Sequence, residues 1–294
     1  MRQSVLRTGN SRYEDTNLMT HAGEVAQGDR FEFGKNWARF LQNVDEEQIA
    51  DAGRSLQNML EVSTLNGKTF LDIGSGSGLF SLAARRLGAR VYSFDYDPNS
   101  VACTQELKRR YFPGDTSWTV ETGSALDEPY IRSLGLFDVV YSWGVLHHTG
   151  RMWTALANAS LPVAPGGKLF IAIYNNQGTA SRRWTTVKRL YNRTPRPLRF
   201  VWLAGSFWVL NWRSLVKDIL RFKPFYSIRH YGAGRRGMSF WRDLVDWVGG
   251  YPFEVASPEE LFNFYRKRGF QLTALLTCGG SLGCNELVFQ KEVS

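Results

Sequence analysis

The chain has few cysteines, few histidines and no long apolar run. Its three cysteines, Cys103, Cys278 and Cys284, are odd in number and stand at no zinc-ligand spacing. They read as reduced thiols, with no disulfide framework and no metal site expected. No window approaches the roughly 20 apolar residues that a membrane-spanning helix needs. The opening residues, MRQSVLRTGNSRYEDTN, lack the apolar core of a secretory leader, so a cytoplasmic protein is expected. Acidic residues are nearly missing from one region. Between Gly178 and Arg236 stand fourteen Lys and Arg against Asp218 alone, which makes that segment +13 and the rest of the chain −4. The hydrophobic content of 43% and charged content of 21% are those of a globular protein. At 294 residues the chain is one large domain or one domain with a sizeable insertion.

The most informative stretch runs from Lys68 to Pro98, KTFLDIGSGSGLFSLAARRLGARVYSFDYDP. A short apolar run with one carboxylate, Asp72, leads into Gly74, Gly76 and Gly78. Leu79 to Leu87 has helical composition and stops at Gly88, a natural helix terminator. Arg90 to Phe94 is a second strand with Asp95 at its carboxyl end and Tyr96 beyond it. Glycines let a backbone turn sharply and approach a ligand closely, and a carboxylate ending the second strand can accept hydrogen bonds from ribose hydroxyls. A dinucleotide-binding loop would need a small residue at position 79; Leu79 stands there, and the third glycine comes one residue early.

This D-x-G-x-G-x-G pattern resembles motif I of the class I S-adenosylmethionine methyltransferases. Further on, FDVVYS (137–142) reads as a buried parallel strand leading into Trp143-Gly144-Val145-Leu146-His147-His148. That loop is similar to motif IV in the ubiquinone and menaquinone methyltransferase branch, and the PGG turn at 165–167 before an apolar strand is a further likeness. The resemblance covers about 68–177 and 257–291. It implies an α/β fold: a doubly wound, mostly parallel, seven-stranded Rossmann-like sheet whose last strand runs antiparallel. It implies S-adenosylmethionine as cofactor, held by Asp72, Gly74, Ser75, Gly76, Gly78, Asp95, Tyr96, Ser124, Ala125 and Trp143. At Ser124 the family often has an acid, so there the contact expected is through backbone. His147 or His148 would lie near the methyl acceptor, and Tyr174 and Asn175 at the end of the fifth strand on the same crevice.

Around this core, residues 1–67 read as an N-terminal arm and leading helices, the core as 68–177 and 257–294, and 178–256 as a helical insertion between strand five and its helix. In the arm, Phe31, Phe33, Trp37 and Phe40 either pack on the sheet or close over cofactor or substrate, with Trp37 a substrate-side candidate. Asp45 with Gln48, and Ser257 with Pro258 and Glu260, carry helix-start signals. The insertion holds six of the ten tryptophans, and Phe200 to Trp212 (FVWLAGSFWVLNW) is almost wholly apolar between arginines. It reads as a packed lid helix or as an interfacial helix on an anionic membrane. Nucleic acid is the less favoured partner, since no RNA-binding motif accompanies the charge.

Together these features suggest methyl transfer to a small or lipidic acceptor, with a histidine as base for a hydroxyl. The alternatives are an RNA methyltransferase and a methyltransferase-like module without turnover. Oligomeric state is not legible.

Overall fold

Apolar runs of alternating direction organise the molecule. The computed structural model describes residues 20–34, 37, 41, 44–229 and 240–293, Arg242 by its backbone only. Residues 1–19 of the arm, Phe40 and residues 230–239 of the basic segment lie outside the described residues. Among the described residues, seven strands form one sheet: β1 (Thr69–Ile73), β2 (Arg90–Asp95), β3 (Trp118–Thr122), β4 (Phe137–Trp143), β5 (Val163–Tyr174), β6 (Phe270–Leu276) and β7 (Cys284–Lys291). Their order is β3-β2-β1-β4-β5-β7-β6. β1 to β5 pair in parallel, and β7 runs antiparallel to both β5 and β6. This is the doubly wound sheet that the resemblance implies. The order reverses beside β1, and the crevice above the strand ends there is where such sheets bind ligands.

Side chains alternate across a strand, so each central strand feeds two cores. Helix α1 (His21–Gln27) belongs to the arm. Phe70, Val139, Tyr141 and Phe170 face one side and meet the helices α2 (Glu46–Leu60), α3 (Leu79–Arg86) and α4 (Pro98–Tyr111) through Leu56, Leu82 and Leu107. Leu71, Ile73, Val140 and Ile171 face the other side. There they meet α5 (Glu128–Ser133), α6 (Met152–Ser160) and α11 (Pro258–Arg266) through Ile131, Leu156 and Tyr265. The helix starts follow the local signals: Asp45 and Ser257 each form a full capping box, with Gln48 and Glu260.

One boundary differs from the expectation. β5 begins at Val163 rather than at Lys168, pairing Phe137 with Val163 before an irregularity and resuming at Lys168. Gly167 sits inside that irregularity with neighbouring carbonyls so close that a Cβ would come 2.9 Å from the Ala164 oxygen.

After β5 the chain leaves the sheet through α7 (Thr179–Arg193), α8 (Arg199–Leu220), α9 (Tyr226–Arg229) and α10 (Phe240–Gly249). α7, α8 and α10 share a small core of their own, with Tyr191, Leu244 and Val248 buried against Trp184, Trp202, Phe207 and Trp247. The return is tied to the departure. Ala256 N donates to Tyr174 O at 3.0 Å, and Asn176 N donates to Ala256 O at 3.2 Å.

Candidate active site

The crevice above β1, β2, β4 and β5 is a cavity of about 2150 Å³. That is roughly twice the upper end of ordinary small-molecule pockets, about 1,000 Å³, so it has room for a cofactor and a bulky second molecule together.

On the cofactor side, the glycine loop leaves β1 with Gly74, Gly76 and Gly78 all at positive φ (79°, 55° and 81°). Two are also sterically forced. A Cβ on Gly74 would lie 2.4 Å from the Val145 side chain, and one on Gly78 2.9 Å from the Thr104 backbone. The cradle is closed over by Trp37, whose indole nitrogen lies 3.2 Å from where a Gly76 Cβ would be.

Asp95 accepts from Gly76 N and from Asp97 N, both at 2.9 Å. A carboxylate has about four acceptor positions, and with the Tyr96 backbone also close to it, this one retains capacity for a further hydroxyl donor. Burial raises its pKa to about 6, against the pull of those backbone donors. Asp72 is buried deeper and accepts from Ser81 Oγ at 2.5 Å. Burial is again the larger cause of its raised pKa, about 7, with the charge of Asp95 adding to it. A buried acid pair of this kind gains when a cation arrives, and S-adenosylmethionine, which the sequence resemblance implies, carries both a sulfonium and an amino group. Ser124 and Ala125 line the crevice and are pinned: Leu126 N donates to Ser124 Oγ at 3.1 Å, and Asn158 Nδ2 to Ala125 O at 2.9 Å. Ser75, Tyr96 and Trp143 complete this wall; Gly78 sits behind it as the cap of α3.

On the other side, Leu146–His148 forms one turn of 3-10 helix that buries both histidines. The pair that looked equivalent in sequence is not equivalent in space. His148 lines the cavity, and His147 lies behind it. His147 packs on Tyr174 with ring centroids 4.1 Å apart and planes tilted by 43°, and its Nδ1 accepts from Tyr174 N at 3.4 Å. His148 Nδ1 lies 2.6 Å from the Pro252 carbonyl oxygen. That oxygen has no proton to give, so the ring carries its own proton on Nδ1 and a lone pair on Nε2. Burial, then the charges of Lys188 and Arg30, push the His148 pKa down to about 3 although the Pro252 contact opposes them. The ring is therefore neutral across the physiological range. Tyr174 lines the cavity. Asn175 does not: its side chain accepts from Asn285 Nδ2 at 3.1 Å, which joins the ends of β5 and β7.

Several residues of this site carry no sequence signal. Arg30 ion-pairs with Glu24, donates to His148 O at 3.0 Å and lies 5.0 Å over the Tyr96 ring. It bolts residues 20–34 across both halves of the crevice. Asp97 accepts from Gly34 N at 2.9 Å and faces His21 at 3.7 Å. The run of Phe31, Phe33 and Trp37 pointed to this strap, but nothing singled out Arg30. Glu254, to which sequence reasoning assigned no role, accepts from Met152 N at 2.9 Å and caps α6. Lys188, one of fourteen cations by sequence, is fully buried. Its ammonium donates to Trp247 O and lies 4.3 Å from the Trp247 ring centroid and 4.6 Å from that of Phe253.

Comparison with known proteins agrees with this geometry. The family model described as a methyltransferase domain matches residues 44–230, more than half of the chain. A tRNA U34 carboxymethyltransferase of Methylococcus capsulatus is 33% identical over 152 residues, which is 49% of this chain and 46% of that protein. A ubiquinone biosynthesis O-methyltransferase of a Methylobacterium species is 33% identical over 113 residues, 38% of this chain and 43% of that protein. The chain thus spans less than half the length of these relatives. In fold it is similar to magnesium protoporphyrin IX methyltransferase of Synechocystis with S-adenosylmethionine bound. The TM-score is 0.53 at 11% identity, covering 94% of this chain and 100% of that one. The glycine cradle and the carboxylate at the end of β2 are the features that would hold S-adenosylmethionine, the fold is that of a class I methyltransferase, and the matched domain shows that the chain belongs to the methyltransferase-domain family.

Proposed function

We propose that this enzyme methylates an oxygen atom of a hydrophobic or anionic small molecule such as a quinone, a lipid or a lipid-linked sugar. The observation that carries the reading is the continuity of the cavity. From the glycine loop it passes His148 and Tyr174 to a part walled by Leu210, Leu244 and Trp247 of the insertion, where Asn211, Arg213, Asp243 and Asp246 supply polar and charged groups of both signs. Apolar walls with a few convergent polar groups are what a bulky, weakly polar acceptor needs.

Bound S-adenosylmethionine supplies a methyl group already activated on a sulfonium. What remains for the protein is alignment and the exclusion of water. The strap over the crevice and the aromatic wall around Tyr174 do the second. For the first, His148 Nε2 is the acceptor that holds the substrate hydroxyl. Its weak basicity means that it takes the proton in concert with methyl transfer, not beforehand. Tyr174, whose pKa burial pushes well above the ordinary phenol value, stays a neutral ring against which the acceptor lies. His147 and Asn175 support that wall from behind, and Trp37 covers the cradle. The chamber and insertion form, on this reading, the acceptor-binding part of the enzyme.

The test is to incubate purified enzyme and methyl-labelled S-adenosylmethionine with an extract lacking the native protein, then separate organic-soluble, aqueous and macromolecular fractions. Enzyme-dependent label in the organic or aqueous small-molecule fraction is expected. Label in RNA or protein refutes the small-molecule reading and makes the exposed arginines of the insertion a macromolecular contact, as the tRNA-modifying relative would suggest.

A further inference from the structure

The six tryptophans of the insertion divide into two sets. Trp184, Trp202 and Trp247 turn inward to the core shared by α7, α8 and α10. Trp208, Trp212 and Trp241 are 62%, 51% and 59% exposed. On α8 five of the exposed apolar residues share one side, with Val209 at its edge and Phe200 off it at the helix start. Val201, Trp208, Trp212, Val216 and Ile219 follow a spacing of seven, four, four and three, which at about 100° per residue confines them to one stripe. Leu220 closes the helix, and Phe222, which is 94% exposed, lies just beyond its end. Patches of this extent on a protein surface mark interaction sites.

Charge identifies the occupant. Arg213 and Lys217 run along one edge of the stripe, Arg196 stands before the helix, and Arg221 and Lys223 follow it. Among the described residues, none of these five cations is in an ion pair. The one acid of the segment, Asp218, is withdrawn: it is buried and accepts from Ser227 N and Ser227 Oγ, each at 2.8 Å. The surface is therefore an apolar stripe with tryptophans, bordered by unopposed cations. Val201, Val216, Ile219 and Leu220 have no face on which bases could stack, and two tryptophans set among aliphatic side chains suit an acyl boundary better than a nucleic acid. No described helix is long and apolar enough to cross a membrane, and α8 carries Arg213, Lys217 and Asp218 within its length. It can lie in an interface but not through one.

We propose that α8 and the residues just after it form a docking face for an anionic phospholipid bilayer, with the apolar stripe at the acyl boundary and the arginines and lysines at headgroup phosphates. The helix serves two sides at once. Leu210, Asn211 and Ser214 line the active-site cavity, while the stripe looks outward. Docking therefore brings the acceptor chamber against the membrane surface. This last step rests on the proposed lipidic acceptor; the docking itself does not.

Flotation of the full-length protein with vesicles of phosphatidylcholine alone, and of phosphatidylcholine with phosphatidylglycerol, tests it. The protein is expected to float with the anionic vesicles only, less so in high salt, with a blue shift of tryptophan fluorescence. Trp212→Glu with Val216→Glu, two exposed positions away from the cavity, should weaken flotation on the order of tenfold or more and leave cofactor binding unchanged. Failure to float with anionic vesicles overturns the proposal. So does flotation that the double variant leaves intact. Concentration-dependent self-association in sedimentation velocity, abolished by the double variant and without vesicle binding, overturns it in favour of a second copy of the chain. Flotation combined with label in RNA would sink the acceptor reading and leave the docking face standing.

Discussion

Replacing Lys188 by methionine tests the energetics of the joint between insertion and core. The amine is fully buried, and burial lowers its pKa from 10.5 to about 7, with only the charge of Asp246 opposing. Keeping it protonated in the fold therefore costs about 5 kcal/mol, at about 1.4 kcal/mol for each tenfold change. The pKa is depressed, so between about 7 and 10.5 the unfolded chain binds a proton that the folded chain releases, and stability rises with pH. Below about 7 the whole cost is carried; near pH 9 about 2 kcal/mol of it remains. Lys188→Met removes this penalty but deprives the Trp247 carbonyl of its donor, a loss of about 1–3 kcal/mol. The variant should then be more stable than the native protein by about 2–4 kcal/mol near pH 6, and within about 1 kcal/mol near pH 9. Urea unfolding followed by circular dichroism at both pH values measures the two gaps. His147 and His148 are neutral in the fold with or without this lysine, so their own contribution is common to both proteins and cancels from the gap. A gap that stays flat from about pH 6 to 9, or a variant less stable near pH 6, would refute the claim that this lysine is held against its own charge.

Cofactor affinity should rise as pH increases from about 5 to 8: Asp95 and Asp72 titrate at about 6 and about 7, and a cationic ligand favours their ionised forms and expels their protons. Calorimetry in buffers of different ionisation heat reads both the affinity and the proton release, and a flat profile would count against the acid pair. Asp95→Ala should weaken cofactor binding roughly tenfold to a hundredfold, as expected for hydrogen bonds to a charged group, measured by the same titration. Gly74→Ala, whose Cβ would meet Val145 at 2.4 Å, should abolish cofactor binding; wild-type affinity would mean that the cradle yields. His148→Ala should lower kcat by about 10² to 10⁴ with cofactor affinity unchanged. An unaltered kcat with the true acceptor would remove His148 from the chemistry.

The cofactor half was legible because its signals are local. Asp72, the three glycines and Asp95 lie within one strand-turn-helix-strand unit, and chain order alone brings them to one corner. The capping residues at Asp45 and Ser257 were legible for the same reason. What escaped was whatever depends on distant partners. Arg30 acts on the His148 carbonyl 118 residues away, and Lys188 differs from its cationic neighbours only because Trp247 and Phe253 fold over it. The histidine pair was found, but its asymmetry was hidden, since it comes from a single turn of 3-10 helix and the Pro252 carbonyl. The run 200–212 showed that apolar surface was present; which side of the helix it occupied depended on the packing of α7 and α10.

The hydrogen bonds joining Tyr174, Asn176 and Ala256 have a consequence for how such an enzyme changes over time. They place the departure and return of about eighty residues side by side at the end of one strand. Closing a long excursion costs little more than closing a short one, about 0.6 kcal/mol per doubling of its length. The segment between those bonds can therefore lengthen, shorten or be exchanged while β5 keeps its register and the glycine cradle its shape. On the proposed reading, choice of acceptor and grip on the methyl donor can then change as separable parts.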